Sequence, residues 1–175
     1  MKGKNSKCLI AFYSRKGNNY VGGRIVNLPI GNTEVVAKQI QELINSDLFE
    51  IRTIKNYPTD YTETTNVSRD ELHNNARPEL VDFVNDINIY DVIYLGYPNW
   101  WGTMPMGVFT FLESYDFSGK TIIPFCTHEG SGLGISERDI KRLCPNANVE
   151  KGIAIRGGNV QSAKRTLKQW LSNFN

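Results

Sequence analysis

The feature that most constrains the fold is a repeated alternation of short apolar runs with helix-like patterns. The apolar runs cover Cys8–Tyr13, Phe49–Ile54, Tyr90–Tyr97, Lys120–Cys126 and Val149–Ile155. Continuous apolar runs of this length are typical of strands that are covered on both faces, as parallel sheets require. Because a helix pattern follows each run, we predict an α/β fold with an open, doubly wound parallel sheet of five strands and helices on both faces.

The helix predictions depend on apolar spacing and on start signals. Helices are predicted to begin at Thr33, at Pro78, near Pro105 and at Ser136, and a last helix to cover residues 160–174. The residues after Pro78 include an apolar set at helical spacing, and Ser136 has an acid three residues later, which is the spacing of a capping box. Residues 55–77 are polar and show no period, so we expect a long loop there.

Size and charge limit the kinds of function open to the chain. At 175 residues it has the size of one domain. Its net charge of +2 gives no bulk attraction for nucleic acid or an anionic membrane. The three cysteines lack metal-type spacing, and no apolar run approaches the roughly 18 residues that a membrane helix needs. We therefore expect a reduced, cytoplasmic protein, a monomer or weak dimer, without a metal site.

A strand, a polar loop and a helix start follow one another within residues 7–44. The strand ends at Ser14 and the helix begins at Thr33. The first turn of a helix leaves backbone N–H groups unpaired, so an anion fits there. The helix dipole contributes only about 0.3–1 kcal/mol, whereas each hydrogen bond to a charged group contributes roughly 1.5–3 kcal/mol. We expect the amides and the two hydroxyl groups to dominate the binding of a phosphate.

An inserted hairpin interrupts this loop at about residues 18–28. Two short arms of β-branched or aromatic residues flank Gly22-Gly23, which is a two-residue turn signal. A phosphate-loop pattern therefore occurs in two fragments, Ser14–Asn19 and Gly31-Asn32-Thr33. Only the second fragment adjoins a helix, which favours it as the phosphate site. Arg15 and Lys16, in the first fragment, can add positive charge.

Three unusual loops are expected to meet at one edge of the sheet. In open α/β sheets the ligand lies outside the carboxyl ends of the strands. The loops cover residues 14–33, 98–102 and 127–134. The first suits a phosphate, the second offers flat aromatic surface, and the third is rich in glycine, whose bare backbone can approach a ring closely. Together they predict a phosphorylated aromatic ligand.

On these residues the chain resembles the flavodoxins, over nearly its whole length. The resemblance implies a single FMN-binding domain over residues 1–175, with strand order 2-1-3-4-5 and FMN as cofactor. Ser14 and Gly31-Asn32-Thr33 match the family's phosphate loop if the hairpin is treated as an insertion. The family clasps the flavin ring between the loops after strands 3 and 4, with an aromatic side chain stacked on it. Gly102 then matches the flexible peptide beside the flavin.

The cofactor-binding residues that follow from this resemblance come from all three loops. They are Ser14, Arg15, Lys16, Gly31, Asn32 and Thr33 from the first loop, Pro98, Asn99, Trp100, Trp101 and Gly102 from the second, and Thr127, His128, Glu129, Gly130, Ser131, Gly132 and Gly134 from the third. Either tryptophan can supply the stacking ring. A lone histidine in a loop is more often solvated or structural than catalytic, and no catalytic residue is predicted.

The resemblance leaves three functions open. The first is an electron carrier between a reductase and acceptor proteins, in which the cofactor does the redox chemistry. The second is an NAD(P)H-dependent FMN reductase that acts on quinones or similar small acceptors. The third is an interaction module that has lost its flavin. Familiar flavodoxins are strongly acidic, whereas this chain has a pI near 8.4, so we expect its redox partners to recognise a different surface.

Overall fold

The structure is a computed structural model that describes residues 6–174. The predicted domain covers residues 1–175, so its first five residues and its last residue lie outside the described range. The strands are β1 (Cys8–Phe12), β2 (Gly17–Val21), β3 (Arg24–Leu28), β4 (Ser46–Glu50), β5 (Val92–Pro98), β6 (Thr121–His128), β7 (Asn148–Val149) and β8 (Ile153–Arg156). The α-helices are α1 (Asn32–Leu43), α2 (Tyr61–His73), α3 (Met106–Glu113), α4 (Ser136–Leu143) and α5 (Lys164–Leu171). Short 3-10 turns cover Ile87–Ile89, Gly157–Ser162 and Ser172–Phe174.

The main sheet is parallel, with the order β4-β1-β5-β6-β7 and β8 also paired to β6. This confirms the doubly wound α/β prediction and the strand order 2-1-3-4-5. Each face of the sheet carries its own apolar cluster. One packs α3 and α4 through residues such as Phe111 and Ile140, and the other packs α1 and α5 through residues such as Ile40 and Leu167. Helices therefore cover both faces, and the strand ends are left for the site.

The predicted helix after Pro78 is wrong. A helix instead occupies Tyr61–His73, inside the residues predicted as a loop. Its start is fixed by the Asp60 carboxylate, which accepts a hydrogen bond from the Glu63 N–H at 2.8 Å. The helix buries only Thr64 and Ser68, so it carries no apolar period. The apolar residues after Pro78 instead run beside residues 52–54, where Leu80 forms a bridge to Thr53.

The predicted strand Val149–Ile155 is also wrong as one continuous element. Thr121 pairs with Asn148, but Phe125 pairs with Ile153, so the fifth strand contains one residue more than its partner over this stretch. The extra residue lies opposite Pro124, which has no N–H to donate to the ladder. The strand therefore divides into β7 and β8 around a bulge.

Smaller differences concern where elements begin and end. Ser136 does not cap α4: its Oγ donates to the Leu133 carbonyl at 2.6 Å and bonds the Tyr97 hydroxyl at 2.8 Å, while Asp139 accepts from Thr103 at 2.6 Å. The capping-box prediction is therefore wrong, because tertiary partners take both groups. The last helix is shorter than predicted, since residues 157–162 form a 3-10 turn.

The inserted hairpin is confirmed as the antiparallel pair β2–β3. Gly22 and Gly23 have φ values of +60° and +86°, as a two-residue turn of type I′ requires at both central positions. Each residue of the two strands is at least partly exposed. The hairpin thus projects from the sheet edge without entering either core.

Among the described residues, no helix is long and apolar enough to cross a membrane.

Candidate cofactor site

The three predicted loops meet at the carboxyl ends of β1, β5 and β6. They enclose two neighbouring cavities, of about 140 Å³ and about 350 Å³. Both cavities share lining residues, among them Asn99, Trp100 and Glu129. They therefore form one continuous cleft with a narrow end at the start of α1 and a wide end between α2 and the loop after β5.

The narrow end is built from hydroxyl groups and the first turn of α1. The Ser14 Oγ accepts a hydrogen bond from the Glu34 N–H at 3.1 Å, while the Thr33 and Thr127 hydroxyls bond each other at 2.8 Å and are buried. Gly31 precedes the helix, and a Cβ there would overlap the Ser14 hydroxyl. The first N–H groups of a helix have no carbonyl partner within the helix, and here Ser14 accepts one of them, that of Glu34. This end offers donors to an anion.

At the wide end the chain turns sharply after β5. Trp100 and Thr103 exchange backbone hydrogen bonds, and the two residues between them, Trp101 and Gly102, have φ values of +56° and +86°. A bulky residue at positive φ is a genuine outlier, and such strain concentrates at ligand sites. The Trp101 indole N–H offsets part of the cost by donating to the Thr65 carbonyl and the Ser68 hydroxyl, each at 3.1 Å.

The loops after β5 and β6 are fixed to each other by backbone and amide contacts. The Asn99 side chain donates to the Gly132 carbonyl at 2.8 Å and accepts from the Gly102 N–H at 2.9 Å. The Gly102 carbonyl accepts from the Ile135 N–H at 2.8 Å. A Cβ on Gly134 would overlap this carbonyl oxygen, so the close approach requires glycine. Both ends of residue Gly102 are therefore held in place.

The two tryptophans have different surroundings. Trp100 meets Tyr13 and Tyr57 edge to face, with centroid distances of 5.4 Å and 5.0 Å, and it packs against the core. Trp101 is 51% exposed and has the Arg69 guanidinium 6.0 Å from its ring centroid. Trp100 is thus fixed by aromatic packing, whereas Trp101 is fixed by its bonds to α2.

Arg15 links the base of the hairpin to the segment before α2. Its guanidinium donates to the carbonyls of Asn18, Pro58 and Thr59 and to the Thr64 hydroxyl. Partial burial lowers the pKa of this guanidinium. Sequence reasoning offers Arg15 as a source of charge for a phosphate, but in the structure its donors already have neutral protein acceptors. Its observed role is to hold the loop.

Glu129 lies between the hairpin tip and the start of α1. Its Oε2 accepts a hydrogen bond from the Gly22 N–H at 3.0 Å. Its Oε1 is buried and has no hydrogen-bond partner, and it lies where a Cβ on Gly157 would have to be placed. A buried carboxylate oxygen without a donor is costly. Glu129 therefore brings an unpaired acceptor to the boundary between the cleft and the Gly157 backbone.

His128 orders the start of the glycine-rich loop. Its Nδ1 accepts a hydrogen bond from the Gly130 N–H at 2.9 Å, which requires that nitrogen to be unprotonated. Burial, followed by the nearby charge of Arg156, lowers the pKa of His128. The neutral imidazole is therefore favoured in the folded protein.

Most of the residues predicted for the site line the cleft. These are Ser14, Arg15, Asn32, Thr33, Pro98, Asn99, Trp100, Trp101, Gly102, Thr127, His128, Glu129 and Ser131. Gly31, Gly132 and Gly134 act through backbone contacts behind the lining, and Gly130 follows His128 in the same loop. Lys16 instead lines a separate groove of about 630 Å³ on the other side of the loop.

Sequence reasoning missed the wall that α2 contributes. The wide end of the cleft is lined by four residues of α2, namely Tyr61, Thr64, Thr65 and Ser68. Two residues of the hairpin, Asn19 and Tyr20, line the narrow end. The tyrosine rings of residues 20 and 61 stack at 6.1 Å with an interplanar angle of 29°. The available signal was Asp60 three residues ahead of Glu63, which is a helix start without an apolar period behind it.

A doubly wound sheet with such a cleft defines the class of flavodoxin-like α/β proteins. Sequence comparison leads to the same class, because the family model described as Flavodoxin matches residues 28–174. The chain belongs to the flavodoxin family. The match begins at the last residue of the inserted hairpin. No curated protein matches the sequence closely enough to be counted as a relative.

Several solved structures are similar over nearly the full length. A protein of Bacteroides uniformis described as a flavoprotein is 30% identical with a TM-score of 0.76, covering 97% of this chain and 99% of its own. One from Bacteroides eggerthii is 27% identical with a TM-score of 0.78, covering 97% and 98%. A flavoprotein of Lactobacillus acidophilus, solved in complex with FMN, shares the fold at 23% identity, covering 90% and 98% with a TM-score of 0.65.

Proposed function

We propose that this protein binds FMN in the cleft and carries electrons between a reductase and acceptor proteins. The observation that carries the proposal is the meeting of the three loops, with the first turn of α1 at one end of the cleft and aromatic surface at the other. Membership of the flavodoxin family and a neighbour solved with FMN support the choice of cofactor. When bound, FMN supplies the redox chemistry.

The narrow end suits the phosphate. The N–H groups of the first turn of α1 point outward from the helix, and the Ser14 and Thr33 hydroxyls flank them. Hydrogen bonds from amides and hydroxyls to a charged phosphate contribute roughly 1.5–3 kcal/mol each. Asn32 adds an amide side chain to the lining. These residues would hold the phosphate without a positively charged side chain.

The wide end suits the ring system. Trp100 and Trp101 provide flat apolar surface, and Asn99 fixes the backbone beside them. The protein's contribution to redox tuning is then to stack on the ring, to present backbone groups at its edge and to exclude water. This role requires no acid or base from the protein. The pI of about 8.4 differs from the acidic character of familiar flavodoxins, so we expect partners that recognise a different surface.

A second candidate is an NAD(P)H-dependent FMN reductase for quinones or similar small acceptors. The observation that favours it is the wall of hydroxyl groups from Tyr61, Thr64, Thr65 and Ser68 beside the wide end. Thr64, Thr65 and Ser68 donate their hydroxyl protons to carbonyls of the protein, so this wall offers a small polar molecule mainly hydroxyl oxygens as acceptors. The same FMN site serves both candidates, and they differ in what delivers and accepts the electrons.

Reconstitution and turnover separate these functions. Titration with FMN should give a bound-flavin visible spectrum, and Ser14→Ala should weaken FMN binding by roughly 5- to 30-fold, as expected for the loss of about 1–2 kcal/mol. Ser172→Ala, whose hydroxyl bonds Gln169 in the last 3-10 turn, is the control. No FMN binding would support a module that has lost its flavin. Steady turnover of NADPH and a quinone without another protein would overturn the carrier in favour of the reductase.

A further inference from the structure

We propose that the β2–β3 hairpin is a strap that closes over bound FMN, and that Glu129 is the residue that latches it. The proposal rests on the proposed FMN site and adds a control of cofactor entry and exit. It assigns to Glu129 a positioning role through the hairpin tip as well as contact with the cofactor.

The hairpin has little to hold it in place except contacts at the cleft. An isolated two-stranded hairpin is marginally stable in water, and every residue of β2 and β3 is at least partly exposed. Three attachments compensate. Arg15 fixes the base to the segment before α2, Tyr20 stacks on Tyr61, and the Gly22 N–H donates to Glu129.

The attachments lie on opposite sides of the cleft. Tyr61 begins α2 on one side, and Glu129 follows β6 on the other, 107 residues along the chain from Gly22. Asn19 and Tyr20 line the cleft between them. The hairpin therefore spans the opening. The base is held by several hydrogen bonds, whereas the tip is held by one ring stack and one hydrogen bond, so the tip is the part that can open.

Glu129 connects the strap to the cofactor site. One carboxylate oxygen receives the Gly22 N–H, while the other is buried and unpaired. A hydroxyl group of the cofactor can donate to the second oxygen. Binding then satisfies the carboxylate and orients it for the hairpin tip, which couples occupancy of the site to closure of the strap.

A strap and a simple ligand contact differ in their kinetics. A strap that is closed most of the time slows both entry and exit, because each requires the open form. Loss of the latch should therefore raise both rate constants, dissociation by about tenfold and association by less, since the open fraction limits both steps. Kd should weaken by the ratio of the two changes, because a ligand that favours closure binds the closed form more tightly. Loss of a contact raises the exit rate alone and weakens Kd.

The first test measures both rates by stopped-flow flavin fluorescence. Tyr20→Ala removes the stack, and Asn27→Ala, at an exposed position of the same hairpin, is the matched control. We expect faster association and faster dissociation in Tyr20→Ala only. An increase in dissociation alone, or no change in either rate, would overturn the strap while leaving FMN binding intact.

The second test does not depend on the cofactor. Hydrogen exchange at the amides of residues 18–24 reports opening of the hairpin, and it should be faster in Glu129→Ala than in the wild-type protein and unchanged elsewhere in the sheet. Exchange in the wild-type protein should slow when FMN is added. Equal exchange in wild type and Glu129→Ala would disprove the latch. Absence of FMN binding would instead count against the proposed function, so the two failures can be told apart.

Discussion

The two sides of the cleft are held by different numbers and kinds of contact. On the side of β5 and β6, the loops are joined by Asn99, by the Gly102–Ile135 hydrogen bond and by the close approach of Gly134. On the other side, the exposed hairpin reaches Glu129 with a single hydrogen bond at its tip. The first side is preorganised, which lowers the cost of ordering it when a ligand binds. The second side is held by fewer contacts, as the proposed strap requires.

The largest expected effect comes from substitution at the tightest point of the fixed side. Gly134 has φ +53°, and a Cβ there would overlap the Gly102 carbonyl oxygen. Gly134→Ala should therefore lower the free energy of unfolding by about 3 kcal/mol or more, through overlap and backbone strain. Urea unfolding measures the loss. Gly158→Ala is the control, since a Cβ there meets open space, and it should change stability by less than about 0.5 kcal/mol. If Gly134→Ala and Gly158→Ala were equally stable, the claim that the loops after β5 and β6 are rigidly joined would be wrong.

Asn99→Asp tests whether the amide joins the two loops. The change keeps the shape but replaces the N–H donor that faces the Gly132 carbonyl with an oxygen. We expect a loss of about 2–3 kcal/mol in the free energy of unfolding, from the missing bond and the opposed oxygens. Asn27→Asp, on the exposed hairpin, should have almost no effect. A matching loss in both variants would show that the effect is not specific to the loops.

Removal of the hairpin should cost far less stability than either change. Gly17 and Leu28 are paired, so residues 18–27 can be deleted and the ends joined. Neither strand of the hairpin enters a core, and a shorter loop costs slightly less entropy to close. The free energy of unfolding should therefore change by only about 1 kcal/mol. FMN affinity and reduction rate, measured on the same variant, test whether the hairpin acts on the cofactor. A loss of stability as large as that of Gly134→Ala would show that the hairpin is part of the fold's core.

The smallest effect concerns pH. The pKa of His128 is lowered in the folded protein by burial and then by Arg156, so folding favours the neutral ring. The neutral ring therefore contributes to the free energy of unfolding above the ordinary histidine pKa of about 6.5. This contribution is lost as the pH falls through the lower pKa that His128 has in the folded protein. Proton NMR should therefore show His128 titrating below that ordinary value. His128→Gln should remove this NMR signal and reduce the fall in the free energy of unfolding at acidic pH. Titration above 6.5 would contradict the prediction.

Sequence patterns predicted the sheet, its strand order and the hairpin because these depend on local and repeated signals. Apolar runs identify buried strands, and Gly22-Gly23 identifies the turn. Two elements were missed for different reasons. Helix α2 has a local start signal in Asp60, but it buries only Thr64 and Ser68 and therefore shows no apolar period that would indicate a helix. The bulge between β7 and β8 depends on Pro124 in a neighbouring strand, which the sequence of the bulge itself does not reveal.

The sequence predicted which loops meet more fully than it predicted the contacts of their side chains. The carboxyl ends of parallel strands are brought together by topology alone, so the three loops were expected to meet. The partners of Arg15 depend on where residues 58–64 lie, and those residues were predicted as a loop. The positive φ of Trp101 has no sequence signature, since a turn of this type ordinarily uses glycine or asparagine.

The paired ends of the hairpin have an evolutionary consequence. Because Gly17 and Leu28 lie opposite each other, the chain leaves and re-enters the loop at nearly the same point, about 5 Å apart as in any strand pair. A segment of any length that folds back on itself can be gained or lost there without moving β1 or α1. The hairpin is therefore a place where the chain can change without disturbing the main sheet.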